Sequence, residues 1–228
     1  MDALDQVSHF RFPCIIVDDG SDQATRHVLA EQETQRPWVQ VLRRPRNGGK
    51  GAAVQAGLLR AHEIGYSHAL QIDADGQHDT RDIPRFLAEA ETYPNALVLG
   101  KPVFGEDAPT ARCFGRKISQ FWVWVETLSL AIGDPLFGFR VYPVSTVAAF
   151  MQQKRLGSRM DFDPEIAVRL YWAGIPIRNV VTTVIYPKDG NSHFHPVRDN
   201  VLLSWLYTRL FFGMLCRVPR LLLRKKSL

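Results

Sequence analysis

Cysteine is scarce, with three in 228 residues, at Cys14, Cys113 and Cys216. They lie far apart and are odd in number, so neither a disulfide framework nor a zinc knuckle reads from them, and a reducing, cytoplasmic setting is expected. Uninterrupted apolar stretches of the ~20 residues that a bilayer-spanning helix needs are missing too. The nearest approach, Val201 to Leu223, is broken by Arg209, Arg217, Pro219 and Arg220. Met1 to Phe12 hold mixed charges and no apolar run, so no secretory leader is expected there. Internal repeats, low-complexity tracts and linkers are absent as well. Acids are missing from Arg217 to Lys226, a basic C-terminal stretch.

What is present fits one α/β domain. The chain is 46% hydrophobic and 22% charged, a normal globular mix that excludes disorder. Its net charge of +5 permits an anionic partner without choosing one. Apolar runs at Cys14–Val17, Trp38–Leu42, His68–Ile72 and Ala96–Leu99 alternate with helical patterns at Asp22 to Glu33, Gly51 to Ile64 and Asp82 to Glu91. Such alternation predicts a mostly parallel sheet with helices on both faces. Further on, a long aromatic helix is expected over Ile118 to Ile132, a strand at Gly138–Tyr142, a helix at Asp163–Trp172 and a strand at Ile177–Ile185. The predicted division is a domain over residues 1–199 and a tail over residues 200–228.

Ligands in open parallel sheets sit beyond the carboxyl ends of the strands. Two acidic turns fall there: Asp18-Asp19-Gly20-Ser21 and Asp73-Ala74-Asp75-Gly76. In extended chain, residues two apart point the same way, so Asp73 and Asp75 can reach one divalent ion. Mg²⁺ and ions like it are held by one or two carboxylates plus substrate phosphates. A carboxylate at Asp18 or Asp19 can accept from a base N–H or a ribose hydroxyl, although one of them can equally be a turn or cap residue. Asn47-Gly48-Gly49-Lys50-Gly51 precedes a helix, where glycines let backbone approach a ligand and the helix N-terminus favours anions. It is not a P-loop, because Arg44 stands at the first glycine position and Gly51 at the Ser/Thr position. His193-Phe194-His195 lack a third ligand nearby, so zinc is not expected.

Taken in order, Val17-Asp18-Asp19-Gly20-Ser21, Asn47-x-Gly49-Lys50-Gly51, Asp73-Ala74-Asp75-Gly76-Gln77-His78 and Gly138-Phe139-Arg140-Val141-Tyr142 resemble family 2 glycosyltransferases. The nearest branch is that of the dolichol- and polyprenyl-phosphate sugar transferases, which the segment Asp189-Gly190-x-Ser192-His193-Phe194 also resembles. The resemblance implies a GT-A fold and transfer of a sugar, with inversion, from a nucleotide-diphosphate-sugar to a lipid or lipid-linked acceptor. It places Asp18, Asp19, Gly49, Lys50, Asp73 and Ala74 at the donor, and Asp73 and Asp75 on Mg²⁺ or Mn²⁺. It places Arg140, Asp163 and Glu165 on the catalytic or acceptor side, where Asp163 and Glu165 can also be first-turn helix acids. UDP- and GDP-sugars are the expected donors, and nucleic acid is not an expected partner. The family's usual first strand is missing ahead of Cys14, and its place would be central in the sheet. That absence keeps open a non-catalytic remnant that binds nucleotide-sugar or membrane without turnover. A nucleotidyltransferase is a third reading, but its glycine-rich N-terminal signature is absent.

Asn200 to Lys226 is apolar, aromatic and basic. As one helix it would gather Arg209, Arg217, Arg220 and Arg224 in an arc of about 80°. The expected arrangement is interfacial, with arginines toward lipid headgroups, Pro219 kinking the helix, and the protein peripheral on the cytoplasmic face of a membrane.

Overall fold

The computed structural model describes residues 3–105, 110–185 and 196–224. Helix α1 (Ala3–Val7) and a 3-10 turn (Ser8–Phe10) lead into strand β1 (Cys14–Asp18), helix α2 (Gln23–Gln35) and strand β2 (Val39–Arg43). Asp22 caps α2 by accepting from the Thr25 amide at 2.8 Å. Helix α3 (Lys50–Ile64) stops at Gly65, whose φ of 93° only glycine adopts without strain. Strand β3 (His68–Gln71), helix α4 (Ile83–Thr92) and strand β4 (Leu97–Val103) follow. After them come α5 (Thr110–Thr127), β5 (Arg140–Pro143), α6 (Val144–Gln153), α7 (Phe162–Trp172), β6 (Ile177–Thr183), α8 (Pro196–Leu215) and α9 (Val218–Arg224).

The strands form two sheets. Strands β1 and β2 pair in parallel, and a second sheet has the order β3-β5-β4-β6. Strand β5 is antiparallel to both β3 and β4, while β4 and β6 are parallel, so β3, β4 and β6 run one way. Helix α3 packs on both sheets, contacting β1 and β3. Gly57 of α3 lies so close to β1 that a Cβ there would sit 3.2 Å from the Val17 side chain. Cys14 donates to Trp38 O, and Asp18 O accepts from Arg44, so the even residues of β1 face β2. Ile15 and Val17 therefore turn their N–H and C=O groups the other way. On β3, Ser67 O accepts from Val144, so His68 and Leu70 turn away from β5. Among the described residues no backbone partner meets these four positions. Strands β1 and β3 thus each present an open edge, and the line between the two sheets is a seam that no ladder crosses among the described residues.

One apolar core joins Leu97, Leu99, Phe162, Ile166 and Leu170 with Leu203, Leu206, Leu210 and Leu221 of the last two helices. Those helices, expected as a tail, share the main core. A second cluster around Phe86, Phe139 and Val141 lies on the other side of β5, with Val7 and Phe10 packed against it.

Four elements differ from expectation. Helix α5 ends at Thr127 rather than Ile132, because Leu128 takes a left-handed φ of 50°. Helix α6 was not expected, since its β-branched start, Val144-Ser145-Thr146-Val147, reads as more strand. The single helix over Asn200 to Lys226 is instead α8 and α9, bent by 79° at a break before Val218, with Pro219 in the first turn of α9. The basic arc is not turned to solvent as a unit. Arg224 donates to Tyr171 O, and to Gly174 O at 3.2 Å and Ile175 O at 3.0 Å, Arg217 lies 4.6 Å over Trp172, and Arg209 is 3.7 Å from Glu165. Carbonyls at the carboxyl end of α7 are a natural sink for cations.

Candidate active site

The carboxyl ends of β1 and β3 converge on the amino end of α3. Asp19 accepts from the Gly48 amide at 3.0 Å and the Gly49 amide at 2.7 Å, and pairs with Arg44 at 3.0 Å. It shapes the glycine turn that launches α3. Gly49 has a φ of 96°, and a Cβ there would meet Arg159 Cγ at 2.6 Å. Gly51 is tighter still, since its Cβ would lie 2.3 Å from the Phe162 Cβ. These glycines dock α3 against the start of α7.

Asp18 differs from its neighbour. Its Oδ1 accepts from the Ser21 amide at 2.9 Å, while its buried Oδ2 has no hydrogen-bond partner among the described residues and lies 3.9 Å from Arg26. Burial acts to raise its pKa, but the Ser21 hydrogen bonds and the charges of Arg26 and Arg43 outweigh this and hold it below the usual carboxylate value. An inward acceptor with capacity left over is what a ligand N–H or hydroxyl requires.

Lys50 is the hub of the site. Its Nζ sits 2.7 Å from Asp73 Oδ2 and 2.8 Å from Asp163 Oδ2. One ammonium thus bridges carboxylates from β3's carboxyl end and from the first turn of α7. Burial acts to lower the lysine pKa, but the charges of Asp163 and Asp73 outweigh it and hold the ammonium above the usual lysine range. Burial likewise acts to raise the Asp73 pKa, yet Lys50 and His78 hold it at about 2. Gly138 makes room for this carboxylate, since a Cβ there would lie 2.3 Å from Asp73 Oδ2. Asp75 and Ala74 are exposed, and Asp75 Oδ1 accepts from the Gln77 amide at 3.0 Å.

His78 closes the site from below. Its Nδ1 accepts from the Asp73 amide at 3.2 Å, and its ring stacks on Phe139 at 5.0 Å. Desolvation lowers its pKa below the ordinary histidine value, and the ring braces the Asp73 turn. The sequence motif ran through Gln77-His78, but periodicity gave His78 no role; its function depends on Phe139, which is distant in sequence.

The acceptor-side residues separate. Asp163 keeps Oδ1 buried, 3.7 Å from Arg140 and without a hydrogen bond among the described residues, while Oδ2 holds Lys50. Glu165 is fully buried and turned elsewhere, accepting from the Gly157 amide at 2.6 Å and pairing with Arg169 at 2.7 Å. Arg140 is also fully buried, and it donates to Phe137 O at 2.8 Å, Asp163 O at 2.7 Å and Pro135 O at 2.6 Å. Its guanidinium braces the loop and the start of α7 rather than meeting solvent. Asp73 and Asp75 are hard oxygen donors, and no cluster of three or more His, Cys, Asp or Glu that could hold a metal occurs among the described residues. Carboxylates of this kind can hold an Mg²⁺- or Mn²⁺-type ion together with phosphate and water, although here Asp73 is engaged by Lys50 at 2.7 Å and by Gln71 at 3.3 Å. His193-Phe194-His195 and Asp189 to Phe194 lie outside the described residues.

Solved structures share the fold. Glucosyl-3-phosphoglycerate synthase from Mycobacterium tuberculosis, in complex with Mn²⁺ and uridine-diphosphate-glucose, matches over 88% of this chain and 67% of its own, with a TM-score of 0.60 and 14% identity. TarS from S. aureus, in complex with UDP-GlcNAc, matches over 88% of this chain and 58% of its own, with a TM-score of 0.54 and 15% identity. The fold is therefore of the GT-A type, an α/β sheet with the acidic turns at its carboxyl edge. Residues 2–139 match the glycosyl transferase family 2, and the chain belongs to that family. A dolichyl-phosphate beta-glucosyltransferase, ALG5C of Trichomonas vaginalis, is 42% identical over 70% of this chain and 48% of its own length. The undecaprenyl-phosphate mannosyltransferase of Micrococcus luteus is 30% identical over 78% of this chain and 74% of its own. The dolichyl-phosphate beta-glucosyltransferase of Dictyostelium discoideum is 26% identical over 90% of this chain and 64% of its own. Against the dolichyl-phosphate relatives the chain spans roughly half to two thirds of their length.

Proposed function

We propose that the chain is a glycosyltransferase that moves a sugar, with inversion, from a UDP- or GDP-sugar to a polyprenyl- or dolichyl-type lipid phosphate on the cytoplasmic face of a membrane. The observation that carries this reading is Lys50, whose ammonium joins Asp73 on the donor side to Asp163 on the acceptor side. A donor bound over the carboxyl edge spans from Asp18, whose free oxygen takes a base or ribose donor, to the Asp73-Ala74-Asp75 turn, where its diphosphate belongs. Asp73 and Asp75 would hold Mg²⁺ or Mn²⁺, which as a Lewis acid stabilises the charge that grows on the leaving diphosphate. Lys50 adds a fixed positive charge beside the same oxygens in a desolvated setting, where it counts most. Asp163 faces the attacking group. Toward an acceptor hydroxyl its carboxylate takes the proton, whereas an acceptor phosphate arrives ionised and asks only for positioning. His78 and Arg140 keep the two carboxylates in place from beneath.

The seam between β1 and β3 favours a second reading, a chain that binds donor without turning it over. Calorimetric titration of UDP-glucose and GDP-glucose with Mn²⁺, on this chain and on Asp75→Ala, tests the first. Metal-dependent binding lost in the variant is expected, and release of nucleoside diphosphate with a polyprenyl phosphate present then separates turnover from binding. Failure to bind either donor overturns the donor site.

A further inference from the structure

Helix α8 is apolar on both sides. Its buried side supplies Leu203, Leu206, Leu210 and Met214 to the core. Its solvent side carries Val197, Val201, Trp205, Phe212 and Leu215, between 48% and 82% exposed. At 100° per residue these five fall within an arc of about 80°, so they form one stripe along the helix. Helix α5 shows a second stripe, Phe114, Ile118, Phe121 and Trp122, between 37% and 68% exposed. The two stripes are one surface. Phe121 meets Trp122 at 5.9 Å, Trp122 meets Phe211 of α8 at 6.3 Å, and Phe211 meets Phe212 at 5.9 Å, a row of four rings that crosses the joint between the helices. Leu222 and Leu223 of α9 are exposed as well.

The exposed charges on the described residues of these three helices have one sign. The acids of the three helices are Glu126 and Asp199, and both are buried. Lys117, Arg198, Arg209, Arg217 and Arg220 are exposed. Exposed apolar surface of this extent marks a binding face. Aromatic rings rimmed by cations suit the boundary between acyl chains and anionic headgroups.

We infer that the joined stripes of α5 and α8 form the surface by which this protein docks on an anionic phospholipid bilayer, with the rings in the acyl boundary and Lys117, Arg198 and Arg220 at the headgroups. This deepens the membrane-side reading given above and keeps its orientation, with cations at the headgroups and apolar side chains toward the acyl chains. Among the described residues no single helix is long and apolar enough to cross a membrane. Docking also bears on the site. On the other face of α5, Arg116 pairs with Asp134 at 2.9 Å, and Asp134 opens the loop that carries Gly138 to Asp73.

The test is flotation of the purified protein with phosphatidylcholine vesicles, with and without phosphatidylglycerol, for the original chain, for the triple variant Phe121→Ser, Trp205→Ser, Phe212→Ser, and for Lys117→Gln, Arg198→Gln, Arg220→Gln. The original chain is expected to float with the anionic vesicles. The aromatic variant should partition roughly tenfold less, and the cation variant should lose its preference for phosphatidylglycerol. The substituted side chains are exposed, and an unchanged circular dichroism spectrum confirms the fold. Absence of flotation by the original chain, or equal flotation by the aromatic variant, overturns the inference. So does a concentration-dependent dimer of the original chain that the aromatic variant abolishes, which would make the face a contact between copies. Vesicle binding needs no donor, so donor titration on the same samples reports separately on the transferase reading.

Discussion

Asp163 and Glu165 share one helical turn and one chemistry in sequence, yet the fold gives them different work. Asp163 holds Lys50 through Oδ2 and keeps Oδ1 3.7 Å from Arg140, at the site, whereas Glu165 is engaged by the Gly157 amide and Arg169, away from it. Asp163→Asn is expected to keep the fold and to lower turnover roughly hundredfold with an acceptor hydroxyl, and far less with an acceptor phosphate that needs no base. Steady-state rates with the two acceptors check this. Glu165→Gln strips a buried partner from Arg169, and urea unfolding should show a loss of about 3 kcal/mol. Glu126 offers a different residue-scale prediction. Its carboxyl is fully buried with neither oxygen hydrogen-bonded among the described residues, and burial pushes its pKa from 4.5 up to about 9. The folded protein therefore holds a proton that the unfolded chain releases above pH 4.5. This contribution to stability is full below that value and is lost as pH rises toward about 9. The slope is at most about 1.4 kcal/mol per pH unit. Glu126→Gln should remove this slope, visible as urea midpoints that change less between mildly acidic and mildly alkaline buffer.

At the scale of elements, the strands were legible because short apolar runs ended at acidic or glycine turns. Helix boundaries were less so, and the reasons are local. Val144 to Val147 are β-branched or small, and only packing of Val144, Val147 and Ala148 into the core makes them helix. The end of α5 depends on one left-handed residue, Leu128, which no composition rule marks. The open edges of β1 and β3 could be assigned only once the ladders were known. Amides of Ile15, Val17, His68 and Leu70, which point into the seam, should exchange with solvent faster than those of Ile16 and Ala69, which the ladders hold. Hydrogen exchange followed by NMR would resolve them residue by residue, and equal protection would mean that the seam is closed in solution.

Across the whole molecule, spacing placed both acidic turns after strands and the glycine turn before a helix, but the roles of their residues came from the family resemblance. Two things were not readable: that Lys50 joins Asp73 to Asp163, and that Arg140 is a buried brace. Each depends on contacts between residues far apart in sequence. The C-terminal helices were misjudged for the same reason. Their amphipathic pattern announced a surface element, but both sides are apolar and one fills the core. Deleting residues 196–228 should therefore unfold the protein, read as loss of the near-ultraviolet circular dichroism signal, instead of yielding a soluble domain. The seam has one more consequence. With no ladder across it, β1–β2 and the larger sheet are framed separately, and α3 is the spine on which both are mounted. Asp18 and Asp19 belong to one slab and Asp73 to the other. A ligand reaching both would join two sheets that no ladder joins among the described residues, as a clasp across the spine.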